Sequence, residues 1–246
     1  MSRRWSFSLL WIGPMIIAST IVCGTVSEIV SRFNKSVQGQ LGVARRWAKS
    51  LLWIAGVSVE VEGAENLQGI SRCVFAANHL SYMDTPVMLG HVPIQFMFMA
   101  KSGLFKIPFM GWHLTRAGHI PVPIDDPRAG LRTLAHAAEL IDELGVALLI
   151  FPEGGRSESG ELQEFKDGAA YVALKSHVPL VPMALIGTRE ILQMHTLRFQ
   201  RGRVKLCIGK PIHTAGMSIK QRGEVTSAAR DQVVEMLQTR QAVAAK

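Results

Sequence analysis

From about residue 60 onward, short apolar runs alternate with stretches in which apolar positions recur every three or four residues. The runs at 73–78, 94–100, 118–124, 146–151, 180–187 and 204–209 are short, and turn residues flank most of them. That pattern predicts strands. The clearest helix is DPRAGLRTLAHAAELIDELG, where Asp126 can cap the start, Pro127 suits the first turn and Gly145 ends it. Leu131, Leu134, Ala135, Ala138, Ile141 and Leu144 then fall on one apolar stripe. A second helix is expected over 165–176 and a third from about Ser218 to the C-terminus. Strands alternating with helices predict an α/β sheet with helices packed on it. In such sheets ligand sites gather at the strand carboxyl ends, and the charged motifs of this chain fall there.

The N-terminal pattern differs. No charge occurs from Trp5 through Ser27, and as a helix that run would measure roughly 35 Å, enough to cross a bilayer core. Arg3 and Arg4 would serve a signal peptide, but no clear small-x-small cleavage site follows, so a membrane anchor is expected. Gly13-Pro14 interrupts the run and favours a kink. Arg32, Lys35, Arg45, Arg46 and Lys49 follow it, which by the positive-inside rule places the main body on a cytoplasmic face, such as that of a bacterial inner membrane. The apolar stretch Leu51 to Val59 is too short to span. Two arrangements fit: a spanning helix, or a helical pair dipping into one leaflet with Trp47 and Trp53 at headgroup level. The break at Gly13-Pro14 and the resistance of Arg3-Arg4 to translocation favour the pair. Arg45, Arg46 and Lys49 read as a solvated helix face or as an attraction for anionic lipid, at about 1 kcal/mol per charge. The expected organisation is a membrane-associated helical segment over 1–54, an α/β body over 55–215, and a C-terminal helix over 216–246 packed on that body.

A net charge of +8 points to an anionic partner: nucleic acid, phospholipid headgroups or a phosphorylated substrate. No nucleic-acid-binding motif or basic stripe with interleaved aromatics is present, so nucleic acid is not expected as a partner. Cys23, Cys73 and Cys207 are far apart and fit no disulfide or metal framework, and the histidines lack zinc spacing. No metal is expected.

The chemistry concentrates in a few segments. In FAANHLSYMDTPV, His79 and Asp84 are spaced so that they cannot share a face of a regular helix. They can meet if they bracket a tight turn between the strand and a helix capped by Thr85 with Pro86 behind it. A carboxylate at imidazole Nδ1 would fix the tautomer and leave Nε2 to take a proton. The alternative is a buried hydrogen-bonded histidine and a capping acid. In FPEGGRSESGELQEFKDGAA, a Pro/Gly-rich turn delivers Glu153, Gly154 and Arg156. A guanidinium held there suits phosphate recognition, unless it only pairs with Glu153 or Glu158. Lys101 stands at the end of another strand.

Taken together, these stretches resemble the glycerolipid acyltransferase superfamily, and most closely its 1-acyl-sn-glycerol-3-phosphate acyltransferases. The family's N-H-x-S-x-x-D stands here as Asn78, His79, Ser81 and Asp84. Its second region stands as Lys101, Leu104, Pro108 and Gly111, and its F-P-E-G-T-R-S as Phe151 to Ser157. The fourth stands as Val181-Pro182 running to Gly187, and Lys166 and Gly168 fit an F-K-x-G step. The resemblance covers roughly residues 55 to 215. It implies a mixed, mostly parallel sheet flanked by helices, like that of glycerol-3-phosphate acyltransferases. It implies His79 and Asp84 as catalytic residues, and Lys101, Glu153, Gly154 and Arg156 as substrate-binding residues. The implied reaction moves an acyl group from acyl-CoA or acyl carrier protein to the sn-2 hydroxyl of membrane-borne 1-acylglycerol-3-phosphate, with the thioester as co-substrate and no other cofactor. Ser81 reads as a turn residue and not a nucleophile.

Two departures stand out. Gly155 replaces the usual threonine. Pro123 or Ile124 stands where a basic residue normally closes the second region, so Arg116, Arg128 or Arg132 takes over or the acceptor differs. Rival functions are acylation of another lysolipid or of glycerol 3-phosphate, or a non-catalytic membrane-remodelling role that would not need His79 and Asp84.

Overall fold

The computed structural model describes residues 8–34, 36–123, 126–196 and 198–244. Arg3, Arg4, Trp5, Lys35 and Ile124, on which parts of the sequence reading rest, lie outside them. A π-helical turn, Ser8–Ile12, leads into α1 (Gly13–Phe33) and α2 (Val37–Ala55). There follow β1 (Val57–Glu62), β2 (Val74–Ala77), α3 (Asp84–His91), β3 (Phe96–Lys101), α4 (Met110–Arg116) and β4 (Ile120–Val122). The remainder is α5 (Pro127–Leu144), β5 (Ala147–Ile150), α6 (Gly168–Lys175), β6 (Leu180–Ile186), α7 (Thr188–Ile191), β7 (Gly202–Ile208) and α8 (Arg222–Ala244).

The strands form one seven-stranded sheet in the order β1-β7-β6-β2-β5-β3-β4. Every neighbouring pair is parallel except β6 and β7. The sheet is therefore mixed and mostly parallel, with β2, β3, β4, β5 and β6 ending at one edge. Alternation along the central strands divides the core between two faces. Phe75, Leu149, Phe96 and Phe98 pack with Ala48, Leu52, Val87 and Met88 of α2 and α3. Val74, Ala76, Met97 and Leu148 pack with Ala137, Ile141, Ala170, Ala173 and Ala229 of α5, α6 and α8.

Each strand expected from the sequence forms. One was missed: β1, whose VSVEVE alternates half-buried and exposed positions. The apolar stretch Leu51 to Val59 hid it, because that stretch is two elements. Gly56, at φ 69°, ends α2 in the left-handed conformation and turns the chain into β1. The helix expected over 165–176 starts only at Gly168, since the Lys166 N–H is held by Pro152 O, 2.9 Å away, in the turn after β5. On α5, Asp126 caps and Gly145 terminates, but Leu131 is 64% exposed and the buried stripe begins at Leu134.

The N-terminal helices form an antiparallel pair. Ser19 Oγ lies 2.7 Å from Ser50 Oγ, Trp47 Nε1 donates to Thr20 Oγ1, and Ser27 Oγ donates to Gln40 Oε1. The same polar side of α1 grips α4. His113 Nδ1 is 2.9 Å from Ser27 Oγ, and Arg116 pairs with Glu28 and donates to Ser31 Oγ. At Gly24 a Cβ would come within 2.6 Å of Phe109 Cβ, so only glycine permits this approach. Pro14 stands at the junction where the π-helical turn gives way to the α-helical part of this helix, in the first turn of α1. Two residues assigned to the lipid surface are used internally instead. Arg45 donates to Leu89 O and Val92 O, satisfying carbonyls at the end of α3 that no helical N–H can reach. Trp47 is half-buried between the helices, whereas Trp53 is 76% exposed.

Candidate active site

β2 and β5 are parallel neighbours, with Ala76 opposite Ile150, so the loops that leave their carboxyl ends meet. Asn78 closes β2 onto β6. Its side chain accepts from the Leu185 N–H at 2.7 Å and donates to Leu185 O at 3.0 Å. The next residue is His79.

His79 Nδ1 lies 2.7 Å from Asp84 Oδ2. The same oxygen accepts the backbone N–H groups of Leu80 and Ser81 at 2.7 and 2.8 Å. The helix begins at Asp84 itself, with Met83 before it, and not at a Thr85 cap followed by Pro86. The carboxylate reaches back over the turn from the first residue of α3, which is how this spacing brings it to the imidazole. Ser81 is buried. Its hydroxyl donates to Leu192 O and accepts the Met83 N–H, so it secures the turn.

Asp84 is fully buried and His79 nearly so. Burial pushes the imidazole pKa below its ordinary value against the opposing pull of Asp84, and nearby Arg156 adds to the fall. The ring is therefore neutral at pH 7, with Nδ1–H directed at the carboxylate and a lone pair on Nε2. Phe151 stacks on it, ring centroids 3.8 Å apart and planes 11° from parallel.

Glu153 is also buried, and burial raises its pKa against the pull of two backbone N–H groups. Its oxygens accept the His79 N–H at 2.6 Å and the Gln163 N–H at 3.0 Å. Both oxygens are thus engaged by backbone N–H groups. Its place in the fold is that of a brace behind His79, reinforced by the Ser157 N–H donating to His79 O. Arg156 forms no ion pair with Glu153 or Glu158 among the described residues; Glu158 instead faces His195 at 3.4 Å. The Arg156 guanidinium lies over the Tyr82 ring, 4.2 Å from its centroid, and its buried Nε has no acceptor among the described residues. Gly154 adopts φ 77°, and a Cβ there would meet Lys166 Nζ at 2.7 Å. Lys101, at the end of β3, is exposed on the same sheet edge, and no hydrogen bond joins it to His79 among the described residues.

Gly111 of the second region is sterically required, since a Cβ would sit 2.1 Å from Phe105 O. Arg116 cannot replace the basic residue missing at Pro123, being committed to Glu28 and Ser31. Arg128 and Arg132 are exposed, the latter 4.0 Å from Asp126.

This geometry sits where the comparisons with known proteins also converge. A family model described as Acyltransferase matches residues 58–186, more than half of the chain. The chain belongs to the acyltransferase family. A chloroplastic 1-acyl-sn-glycerol-3-phosphate acyltransferase of Arabidopsis thaliana is 37% identical over 157 residues, covering 63% of this chain and 44% of that protein. The chain thus spans less than half the length of that relative. A 1-acyl-sn-glycerol-3-phosphate acyltransferase of Saccharomyces cerevisiae is 30% identical over 230 residues, covering 91% of this chain and 75% of that protein. Among solved structures, the 1-acyl-sn-glycerophosphate acyltransferase PlsC of Thermotoga maritima superposes with a TM-score of 0.80 at 27% identity. That match covers 95% of this chain and 96% of that one, so the likeness extends beyond the family segment to the helical pair and α8.

Within the acyltransferase fold, sequence reasoning overlooked Tyr82. It occupies an unspecified position of N-H-x-S-x-x-D, where no residue type signals a role.

Proposed function

We propose that this acyltransferase moves a fatty acyl group from acyl-CoA or acyl carrier protein to the sn-2 hydroxyl of 1-acylglycerol-3-phosphate, forming phosphatidic acid. The observation that carries the reading is the buried His79–Asp84 hydrogen bond beside an arginine whose Nε has no acceptor among the described residues. His79 Nε2 takes the proton of the acceptor hydroxyl while Asp84 steadies the resulting imidazolium. The alkoxide attacks the thioester carbonyl directly. The tetrahedral intermediate then expels the thiolate, which recovers the proton from His79. Backbone N–H groups of the adjoining turns, or Lys101, stabilise the oxyanion, and Arg156 holds the phosphate of the acceptor. Glu153 keeps the His79 turn in place.

A panel of lyso-acceptors offered with acyl-CoA and acyl carrier protein donors tests this proposal. Turnover is expected to be fastest with the lysophosphatidate, and none with any lysophospholipid would overturn it. Arg156→Ala is expected to raise the KM for the acceptor about ten- to a hundredfold, the loss of one charge-assisted phosphate contact. A rise in the donor KM alone would move Arg156 to the donor site.

The enzyme works at a membrane surface in this reading. The helix Leu10–Phe33 is long and apolar enough to cross a bilayer, by length and composition. Its polar side is taken up by α2 and α4, however, while Trp11, Ile17, Ile21, Val22, Val26, Ile29 and Phe33 leave an apolar face exposed along its whole length. A crossing would tear Ser27 and Glu28 from their partners. These contacts support a helix lying along one leaflet with that face inward, and exposed Arg32, Arg46 and Lys49 support a body on the cytoplasmic side. Fluorophores on single cysteines at Leu10, Ile21 and Phe33, in a background without the native cysteines, are expected to be quenched similarly by quenchers on lipid chains. Strong quenching at Ile21 alone would mean that the helix crosses.

A further inference from the structure

We propose that Tyr82 is the positioning residue for Arg156, holding the guanidinium in place for the acceptor phosphate. The proposal rests on the acceptor reading above and extends it to a residue outside the motif.

Arg156 leaves β5 on a turn that contains Gly154 and Gly155, and no carboxylate forms an ion pair with it among the described residues: Glu153 is engaged by two backbone amides, Glu158 faces His195, and Asp84, whose charge reaches the guanidinium, is bonded to His79. An arginine side chain left to itself samples many rotamers, and ordering it on binding costs affinity. The Tyr82 ring, 4.2 Å from the guanidinium carbon, supplies the missing support. A flat cation stacked on an aromatic face keeps its N–H edges open for a bidentate contact with an anion, which pairing with a carboxylate would not allow.

The backbone explains why the ring is steady. Tyr82 lies between His79 and Asp84, in the turn that the Asp84 carboxylate and the Ser81 hydroxyl pin at Leu80, Ser81, Met83 and Leu192. The bonds that orient the imidazole thus also fix the aromatic residue. Headgroup capture and hydroxyl activation are held in register by one short turn. The Tyr82 side chain is 48% exposed, so it is not a core residue whose removal would unfold the protein.

The test compares Tyr82→Phe, Tyr82→Leu and Arg156→Ala, with the Tyr82→Leu change also made in the Arg156→Ala background. Tyr82→Leu is expected to raise the KM for lysophosphatidate roughly three- to thirtyfold, the range for a partly exposed cation–π contact. The kcat and the donor KM should stay near wild type. Tyr82→Phe should restore the wild-type KM, and Tyr82→Leu should add nothing once Arg156 is gone. The inference is overturned if Tyr82→Leu leaves the acceptor KM unchanged or acts equally in both backgrounds. It is also overturned if Tyr82→Phe behaves like Tyr82→Leu, since the hydroxyl would then be the contact. Should the wild-type protein turn over no lysophospholipid, the functional reading fails separately, and binding of inorganic phosphate followed by phosphorus NMR decides the inference. Loss of that binding in both Tyr82→Leu and Arg156→Ala, with retention in Tyr82→Phe, supports it; retention in Tyr82→Leu overturns it.

Discussion

His79→Ala removes acyl transfer and leaves a folded protein. Among the described residues His79 is the proposed base for the hydroxyl proton, and a positioned base contributes about a hundred- to ten-thousandfold. The fold survives because the substitution empties the rim of the site and not the sheet. Phe151 loses its stacking partner, while the backbone bonds of His79 to Glu153 and Ser157 do not depend on its side chain. Turnover of labelled donor by the purified variant, beside its circular dichroism, checks both halves, and more than about a tenth of the wild-type rate would exclude the base role. The pH profile gives a second reading. The base acts in its neutral form, so activity falls as pH drops through its pKa. Burial outweighs Asp84 and lowers that pKa from its ordinary value, so the acid limb of kcat/KM should be centred below the ordinary range of a histidine. An acid limb centred above pH 7 would mean that another group takes the proton.

The sheet and the chemical loops were legible in the sequence for one reason: both are written in local pattern. Apolar runs bounded by turn residues mark β2, β3, β5, β6 and β7, and the proposed catalytic pair, His79 and Asp84, lies at the end of one such run. What stayed hidden depends on contacts between distant segments. β1 looked like the tail of an apolar stretch, because the function of Gly56 as a helix terminator shows only once Val57 pairs with Gly202. Arg45 looked like a lipid-facing charge until the end of α3 arrived to use it. Glu153 looked like a substrate contact by its place in the motif, yet its carboxylate is engaged by His79 and Gln163, one of them far away in the chain. Tyr82 carried no signal at all: its importance lies in what Arg156, delivered by another strand, needs from it.

Asp84→Asn should lower kcat/KM about a hundred- to a thousandfold, and the manner of the loss follows from how the carboxylate is used. One oxygen, Oδ2, receives His79, Leu80 and Ser81, while Oδ1 is buried with no hydrogen-bond partner among the described residues. An asparagine has one acceptor oxygen to place. Putting it at the Oδ2 position keeps every one of those donors satisfied and strands the NH2 group in the Oδ1 position without an acceptor. Flipping it breaks all of them. The first orientation wins, so His79 retains its tautomer and its orientation, and the stranded amide costs about 1–3 kcal/mol of stability. What disappears is the negative charge that steadies the imidazolium. At hydrogen-bonding range and an effective dielectric near 20 that charge is worth about 4 kcal/mol, an upper bound near a thousandfold in rate. The acid limb of the pH profile should move still lower, because the influence that raised the His79 pKa is gone, and activity should stay depressed at every pH above it. Asp84→Ala would behave differently, leaving the Leu80 and Ser81 amides unsatisfied and loosening the turn, with a larger fall in melting temperature. Rates for Asp84→Asn within tenfold of wild type would mean that Asp84 shapes the turn and contributes nothing electrostatic to proton transfer.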